Sequence, residues 1–245
     1  MGRSGRAIDK TPQLPATYPR KRMSQIHFPE SLSSRLRQTG IIAVLVVDNP
    51  ADAVPLARAL LAGGVDCMEL TLRTPAAMEA LRRVRAEVPA MLAGVGTILT
   101  PQQVNEVAAA GAAFGVAPGF NPRIVAEAGR IGLPFAPGVC TPSEIELALE
   151  AGCRLLKFFP AEPSGGLAYL RSAAAPYAHL GVRFIPLGGI DPNNAERYLA
   201  EPSVHALGGS WLAPRDLIQR QDWAAITANA RQAADLVTRV RGGRA

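Results

Sequence analysis

Short apolar runs alternate with amphipathic segments along most of the chain. Eight such runs occupy residues 41–47, 67–72, 91–96, 114–118, 134–138, 155–160, 182–189 and 204–209. The segments that follow them repeat apolar residues with a helical period, as residues 53–64 and 75–88 do. Because strands that are apolar on both faces need covering on both faces, this alternation predicts a parallel sheet packed against helices.

Six dipeptides, each with Asn, Thr or Asp before proline, mark where helices are predicted to begin. The polar side chain is a favoured N-cap, and a proline at the first helical position has no N–H to leave unsatisfied. Gln103 and Glu144 lie three residues after their caps and predict capping boxes. One helix without such a dipeptide is expected to start at residues 164–166. The six are Asn49-Pro50, Thr74-Pro75, Thr100-Pro101, Asn121-Pro122, Thr141-Pro142 and Asp191-Pro192.

Eight strand–helix units at this spacing predict an α/β fold, a single (β/α)8 TIM barrel over residues 31–245. An open doubly wound sheet is the alternative. Residues 31–38 and 223–241 are predicted to add a short leading helix and a closing helix. In such a barrel, functional side chains lie at the carboxyl ends of the strands and in the loops that follow.

The first 30 residues differ in composition from the rest and are predicted to form a disordered N-terminal extension. They are polar, contain several prolines and carry six basic and two acidic side chains. They lack the apolar stretch of a secretory signal. Met23 is an alternative start, and the basic residues 19–22 could bind a polyanion or a membrane, although a solvated tail is the simpler interpretation.

Charge and hydropathy argue against two classes of partner for the predicted domain. Outside the first 30 residues, 20 basic side chains are nearly balanced by 18 acidic ones, and aromatic residues make up only 5% of the chain. No basic stripe with interleaved aromatic residues is present, so no nucleic acid is expected as a partner. No apolar run approaches the roughly 18 residues that a membrane span needs, so no membrane association is expected.

The cysteines and histidines give no sign of a disulfide framework or a metal site. The chain has an odd number of cysteines, Cys67, Cys140 and Cys153, and none of them forms a CxxC motif. This predicts reduced thiols and a cytoplasmic location. The three histidines show no ligand grouping, so neither a metal nor another cofactor is expected. His179 and His205 are interpreted as surface or packing residues.

Lys157 is the only lysine of the predicted domain, although the chain holds 26 Lys plus Arg. It lies near the end of an apolar strand, between leucines and phenylalanines. Burial there disfavours the ammonium, and the neutral amine is the form that attacks a carbonyl carbon and makes a Schiff base. The alternatives are a lysine that points outward between strand and helix, or one that only pairs with a carboxylate.

Glu69 and Arg73 lie in and just after another apolar strand. Four residues apart, they share one side of an extended strand at a separation of about 13 Å, so both can line the mouth of a barrel without pairing. Glu69 is a candidate general acid/base. Arg73 is a candidate to bind a substrate carboxylate, or to be the cation that keeps Lys157 neutral. A structural ion pair is the alternative for either residue.

Glycines at the ends of the last two strands predict a phosphate site. Gly188-Gly189 and Gly208-Gly209-Ser210 end the seventh and eighth strands, where barrels commonly bind phosphate through backbone N–H groups. Tight turns are the alternative. The sequence GVGT at residues 94–97 would let a substrate approach the backbone, which an ordinary glycine turn also explains.

Together these motifs resemble those of the 2-keto-3-deoxy-6-phosphogluconate (KDPG) and 4-hydroxy-2-oxoglutarate (KHG) aldolase family, which are class I aldolases. The resemblance covers about residues 31–240. It implies a cytoplasmic homotrimer that needs no metal and acts on a phosphorylated 2-keto acid. The segments that carry it are AVPLARALLAGGV, MELTLRTPAAMEALR, GVGTILTPQQV, APGF, APGVCTPSE, LLKFFPAE, SGG and GGSWL.

The resemblance also implies roles for individual residues. The Schiff-base lysine falls on Lys157 and the general acid/base on Glu69. The implied reaction cleaves KDPG to pyruvate and glyceraldehyde 3-phosphate through an iminium, with cleavage of KHG to pyruvate and glyoxylate as a further activity. The remaining roles are carboxylate binding by Arg73, Gly96 and Thr97, the walls of the pyruvyl pocket at Pro118 and Phe159, and phosphate binding by Gly188, Gly189 and Ser210.

Leu187 departs from the family pattern, and Val95 replaces a frequent alanine. Members that cleave KDPG commonly carry a threonine at the position of Leu187, placed to contact substrate hydroxyls, so stereoselectivity at C4 is open. A galactonate-type enzyme, or one with relaxed C4 specificity, is therefore an alternative. A barrel that only binds a phosphorylated metabolite or serves as a scaffold is another, although it would have no need of a desolvated amine.

Overall fold

The computed structural model describes residues 28–242. The basic residues 19–22, Met23 and all but the last three residues of the predicted extension lie outside that range. Each strand overlaps one of the predicted apolar runs. The strands are β1 (Ile41–Leu45), β2 (Cys67–Thr71), β3 (Leu92–Gly96), β4 (Gly115–Val116), β5 (Phe135–Ala136), β6 (Gly138–Val139), β7 (Leu155–Phe158), β8 (Arg183–Pro186) and β9 (Leu207–Gly209).

Helices follow the strands, and the predicted leading and closing helices are confirmed. Two 3-10 helices, Pro50–Asp52 and Ala175–Leu180, extend the set. No helix within residues 28–242 is long and apolar enough to cross a membrane. The α-helices are α1 (Glu30–Thr39), α2 (Ala53–Ala62), α3 (Ala77–Glu87), α4 (Pro101–Ala109), α5 (Pro122–Ile131), α6 (Pro142–Glu150), α7 (Gly166–Ala174), α8 (Ala195–Leu199), α9 (Arg215–Gln219) and α10 (Trp223–Arg241).

All strand pairings are parallel, so the predicted parallel α/β fold is confirmed. One set has the order β5-β4-β3-β2-β1-β9 and the other the order β6-β7-β8. β5 and β6 are successive pieces of one predicted strand, separated by Pro137. Proline cannot donate to a ladder, but its carbonyl accepts a hydrogen bond from the Lys157 N–H at 2.9 Å. A single parallel bridge, between Phe184 and Val204, joins β8 to the segment before β9.

Four of the six predicted caps are confirmed. Thr100 and Thr141 form complete capping boxes with Gln103 and Glu144, in which each side chain bonds to the backbone of the other. Asn49 accepts a hydrogen bond from the Ala51 N–H, and Asn121 accepts one from the Arg123 N–H. Local chemistry over three or four residues is thus enough to start these helices.

The two other predicted caps are wrong. Thr74 precedes a turn, its hydroxyl donates to the carbonyl of Val47, and α3 begins later, at Ala77. Asp191 accepts hydrogen bonds from the N–H groups of Asn193 and Asn194 and closes a loop before α8 starts. In both cases the polar side chain bonds to a backbone group in a loop or just after another strand, so it is not available to cap the helix.

Two hydrophobic clusters form the core. The larger lies between the strands and the helices around them. The smaller joins strand residues of the opposite parity, such as Ile42 and Leu155, to Leu36 of α1. α1 also contacts the residues just before strands. Arg35 forms an ion pair with Asp66, and Ser33 bonds to His205. α1 therefore covers the amino ends of the strands and leaves the carboxyl ends open.

His205 is buried, in agreement with its interpretation as a packing residue. Its Nε2 lies 2.8 Å from the carbonyl oxygen of Ser33. Burial lowers the pKa of His205, an effect that nearby arginines reinforce. His179 is exposed, which agrees with its interpretation as a surface residue.

Replacing the α6 cap should destabilise the protein measurably. In Thr141→Ala the Glu144 N–H loses its side-chain acceptor, so we expect the free energy of unfolding to fall by about 1 kcal/mol. Urea unfolding followed by circular dichroism measures this change. The control is Ser172→Ala, whose hydroxyl bonds only to the carbonyl of Ala168 in its own helix. Equal stability of the two variants would contradict the role of the capping box.

Candidate active site

A cleft of about 450 Å3 opens at the carboxyl ends of the strands. Ten of the eleven residues singled out from the sequence line it, and the eleventh, Gly96, lies directly beneath. The lining consists of Val44, Glu69, Thr71, Arg73, Thr97, Pro118, Lys157, Phe159, Leu187, Gly188, Gly189, Ile190, Gly208 and Ser210.

A larger groove elsewhere lacks comparable chemistry. It measures about 620 Å3 and lies between α1, α8 and α10. Two arginines line this groove, Arg37 and Arg241. Arg241 donates hydrogen bonds to the backbone carbonyls of Arg37, Val204 and His205. This arginine therefore serves to join α10 to α1 and to the segment before β9.

Lys157 and Glu69 form a buried ion pair in the floor of the cleft. The Lys157 Nζ lies 3.0 Å from the Glu69 Oε1, and the two residues are 6% and 2% exposed. The Nζ also lies 5.6 Å from the centre of the Phe159 ring. The alternative in which Lys157 points outward between strand and helix is therefore wrong. The pairing of Lys157 with a carboxylate is present. Since buried charges are costly unless matched, each group requires the other.

The backbone of β3 makes room for this pair. Gly94 faces Glu69 in the ladder, and Gly96 faces Thr71. A Cβ on Gly96 would lie 1.8 Å from the Glu69 Oε1, far inside van der Waals contact. A Cβ on Gly94 would meet the ring of Phe114 in the same way. The glycines of GVGT therefore do more than form a turn, because Gly96 leaves the space that the Glu69 carboxylate fills and Gly94 the space that the Phe114 ring fills.

Arg73 lies at the rim of the cleft, apart from the buried pair. It follows β2 and is exposed. No carboxylate among residues 28–242 forms an ion pair with it, and the alternative of a structural ion pair with Glu69 is wrong because Glu69 pairs with Lys157. An unpaired guanidinium at the mouth of a cleft is well suited to bind an anionic ligand in bidentate fashion.

Thr97 has an unusual backbone conformation. Its φ is +60°, in the left-handed region, which is uncommon for a β-branched residue. Such a conformation costs about 1–3 kcal/mol, so the surrounding structure must hold it in place. Thr97 therefore adds a hydroxyl to the cleft from a strained position. Pro118 and the Phe159 ring add apolar walls.

The opposite end of the cleft presents free backbone N–H groups. Gly188 and Gly189 have φ values of +95° and +77°, which glycine adopts without steric cost. Within the described part of the chain, no acceptor bonds to the N–H of Gly188, Gly189 or Ser210. Unsatisfied N–H groups in residues that line one cleft are a suitable environment for an anion.

Leu187 is buried at the boundary between the ion pair and this glycine segment. A Cβ on Gly208 would lie 2.2 Å from the Leu187 Cγ, so the leucine fills the space that Gly208 leaves open. Where a hydroxyl was expected from the family pattern, this cleft has an apolar surface.

Three lining residues were missed in the sequence: Val44, Thr71 and Ile190. Thr71 has the same strand parity as Glu69, a signal that period-two alternation provides. Its hydroxyl donates to the Leu45 carbonyl at 2.8 Å, so it secures β2 to β1. Val44 and Ile190 gave no signal beyond their apolar character.

The remaining ionisable groups near the site add no further reactive centre. Burial raises the pKa of the Cys67 thiol well above its ordinary value, and the Asp66 carboxylate adds to this effect. Cys67 is therefore an inert packing residue two positions before Glu69. Among residues 28–242, no three His, Cys, Asp or Glu side chains are grouped so as to hold a metal ion.

The sequence of the chain is similar to those of known proteins. The family model described as "Aldolase: KDPG and KHG aldolase" matches residues 32–229. The 2-dehydro-3-deoxy-phosphogluconate aldolase of Treponema pallidum is 46% identical over 202 residues, which cover 82% of this chain and 95% of that protein. The KHG/KDPG aldolase of Escherichia coli is 43% identical over 205 residues, or 84% and 95% of the two chains.

A solved structure with a covalent intermediate is also similar. It is the KDPG aldolase from Legionella pneumophila with pyruvate captured at low pH as a covalent carbinolamine intermediate. The TM-score is 0.79 at 37% sequence identity, and the match covers 82% of this chain and 97% of that one.

Adding a methyl group at Gly96 should separate the buried pair. In Gly96→Ala the new Cβ displaces the Glu69 carboxylate from Lys157, so we expect the free energy of unfolding to fall by about 1–3 kcal/mol. Urea unfolding and a crystal structure of the variant measure both effects.

The matched control is Gly119→Ala. A Cβ at Gly119, beside Pro118, has nothing within 4 Å. Its stability should stay within about 0.5 kcal/mol of the parent. A Gly96→Ala structure with the 3.0 Å contact intact would show that the glycine is not required for the pair.

Proposed function

The chain belongs to the family of KDPG and KHG aldolases, and from this membership we propose that it is a Schiff-base, class I aldolase, a carbon–carbon lyase. Its substrate is 2-keto-3-deoxy-6-phosphogluconate, which it cleaves to pyruvate and glyceraldehyde 3-phosphate. 4-Hydroxy-2-oxoglutarate, cleaved to pyruvate and glyoxylate, is a second substrate. The observation that carries the proposal is the Lys157 amine, buried in a cleft at the strand ends with a carboxylate 3.0 Å away.

The sheet pairings support a single (β/α)8 barrel around this site. β5 and β6 together act as one strand, paired with β4 on one side and β7 on the other. β9 pairs with β1, and the bridge at Phe184 brings β8 next to the last unit. Counting β5 and β6 as one gives eight strands in a continuous ring.

The first chemical step joins Lys157 to the substrate. Lys157 first passes a proton from its ammonium to the Glu69 carboxylate 3.0 Å away. The neutral Nζ then attacks the C2 carbonyl carbon, and a C–N bond forms as the carbonyl oxygen takes that proton from Glu69. Glu69 is the nearest base, so it accepts a proton from the nitrogen and returns it to the departing hydroxyl. Loss of water leaves an iminium whose positive charge can accept an electron pair.

The second step breaks the C3–C4 bond. Glu69, through a water, removes the proton of the C4 hydroxyl. The C3–C4 electron pair moves toward the iminium, and the aldehyde leaves as glyceraldehyde 3-phosphate. Glu69 then helps to protonate the resulting enamine at C3. Hydrolysis of the imine frees pyruvate and regenerates the amine.

The residues around the pair bind the two anionic ends of the substrate. Arg73 and Thr97, with the backbone at Gly96, hold the carboxylate, and Pro118 and Phe159 enclose the pyruvyl group. The free N–H groups of Gly188 and Gly189, together with Ser210, hold the phosphate. The unpaired Arg73 at one end and the open N–H donors at the other support this assignment.

No metal or cofactor takes part in this mechanism, because the iminium itself accepts the electron pair. We further propose a homotrimer and a cytoplasmic location. The location is supported by three free cysteines, of which Cys67 and Cys153 are buried. A scaffold or a barrel that only binds a metabolite would have no use for an ion pair with this desolvation cost.

Trapping with borohydride tests the Schiff base. Sodium borohydride added with pyruvate should reduce the imine, and peptide mass spectrometry should find the reduced adduct on Lys157. Lys10 and Lys21, the other lysines of the chain, should stay unmodified, because an ordinary lysine is an ammonium near neutral pH and an ammonium does not attack a carbonyl carbon. The control is Lys157→Arg, which should form no adduct. Absence of trapping in the parent protein would refute the mechanism and favour the non-catalytic alternative.

Leu187 favours a second candidate, an enzyme with relaxed or galactonate-type C4 specificity. A site without a hydrogen bond to the C4 hydroxyl discriminates poorly between epimers. We expect kcat/KM values for purified 2-keto-3-deoxy-6-phosphogluconate and its galactonate epimer within about tenfold of each other. Leu187→Thr should increase the preference for the gluconate by about tenfold. Pyruvate release coupled to lactate dehydrogenase measures both rates.

The control variant is Val44→Thr, which adds a hydroxyl to another apolar wall of the same cleft and should leave the epimer ratio unchanged. A parent enzyme that already prefers the gluconate by more than about a hundredfold would show that Leu187 does not set the selectivity. A strong preference for the other epimer would establish the galactonate type.

A further inference from the structure

Glu162 completes the KFFPAE motif but does not line the cleft. It follows β7 by four residues and lies behind the segment that carries Gly188 and Gly189. We define this segment, residues 187–194 between β8 and α8, as the glycine loop. Glu162 contacts the start of this loop and also the helix α8 that follows the loop.

The backbone of Glu162 holds the start of the glycine loop. Its N–H donates to the Gly188 carbonyl at 2.9 Å, and the neighbouring Ala161 N–H donates to the Leu187 carbonyl at 2.7 Å. The side chain continues this contact. A Cβ on Gly189 would lie 2.7 Å from the Glu162 Cβ. The backbone of Gly189 therefore packs against the aliphatic part of the Glu162 side chain.

The carboxylate of Glu162 holds the element that ends the loop. Its Oε1 accepts a hydrogen bond from the hydroxyl of Tyr198, a fully buried residue of α8. Arg197, also on α8, donates from its Nη2 to Oε1 at 3.0 Å and to Oε2 at 3.1 Å. Burial, and next the bond to Glu162, raise the pKa of Tyr198, so the phenol stays protonated and remains a donor.

The loop itself is closed by short-range bonds. Asn194 donates from its side chain to the Gly189 carbonyl at 2.8 Å, and its side-chain oxygen accepts from the Asp191 N–H at 2.9 Å. These contacts fix the shape of the loop, but they do not attach it to the rest of the protein. Backbone bonds of Leu187 with Phe158 and Ala161 attach its start. Glu162 adds to that attachment, since it contacts Gly188 and Gly189 at one end and α8 at the other.

We propose that Glu162 is a positioning residue for phosphate recognition, which holds the N–H groups of Gly188 and Gly189 where a phosphate ester binds. This inference rests on the proposed function. Charge-assisted hydrogen bonds are among the stronger contacts available, and a loop that is ordered before binding avoids the entropy cost of ordering with the ligand. The negative charge of Glu162 is matched by Arg197, so it does not oppose the phosphate.

A matched pair of aldehydes tests the proposal. In the condensation with pyruvate, glyceraldehyde 3-phosphate and glyceraldehyde differ only in the phosphate. We expect Glu162→Ala to raise the KM for glyceraldehyde 3-phosphate about tenfold, the size associated with loss of a hydrogen bond to a charged group. The kcat/KM for glyceraldehyde and the rate of borohydride trapping on Lys157 should stay within about twofold.

Three further variants separate positioning from a general effect on folding. Glu162→Gln keeps an oxygen for Tyr198 and should recover part of the preference for the phosphorylated aldehyde. Tyr198→Phe removes one contact and should lower that preference about threefold, which also decides the matter if Glu162→Ala does not fold. Glu196→Ala is the control, because Glu196 lies on the same helix α8 as Tyr198. It removes an exposed ion pair with Arg239 of α10 and should leave the preference unchanged.

Equal losses for both aldehydes, or an unchanged preference in Glu162→Ala and Tyr198→Phe, would overturn the proposal. Failure of the proposed function gives a different result. A parent enzyme with no preference for the phosphorylated aldehyde, or with no trapping by pyruvate, would remove the phosphate site or the Schiff base, whatever Glu162 does.

Discussion

The buried contact between Lys157 and Glu69 is the constraint on which the site depends. Taking two charged groups out of water costs several kcal/mol for each, and only close geometry with the opposite charge offsets that cost. The two residues come from β7 and β2, which do not pair with each other. Their side chains meet across the interior, so every strand between them must hold its register for the 3.0 Å contact to exist.

Glycine makes that interior possible, because it leaves space where large side chains cross. Gly96 lies against the Glu69 carboxylate, Gly94 against the Phe114 ring, and Gly208 against Leu187. In each case an added Cβ would lie within 2.2 Å or less of the neighbour. A close-packed interior cannot absorb such an overlap. The residues beneath the cleft are therefore packed in pairs, with a glycine opposite each large side chain.

Much of this arrangement follows from the sequence, and the rest depends on contacts that no local pattern encodes. The expectation that functional side chains lie at the carboxyl ends of barrel strands placed Lys157 and Glu69 in one cleft, since strand ends are a local signal. Their pairing joins residues 88 positions apart, which only the register of the folded sheet determines. Thr74 was misassigned for the same reason, because its hydroxyl bonds to the distant Val47. The role of Glu162 was also invisible, since its partners Arg197 and Tyr198 are 35 and 36 residues away.

The distribution of charge in the cleft separates chemistry from recognition. Lys157 and Glu69 neutralise each other as a pair, so the reactive centre attracts an anion only slightly. Attraction comes from Arg73 at the rim, and from the N–H groups of Gly188 and Gly189 at the far end. These groups carry partial or full positive charge without a partner among the described residues. Under the proposed function, the two anionic ends of a phosphorylated 2-keto acid match these two regions, and its C2 carbonyl carbon, next to the carboxylate, lies at Lys157.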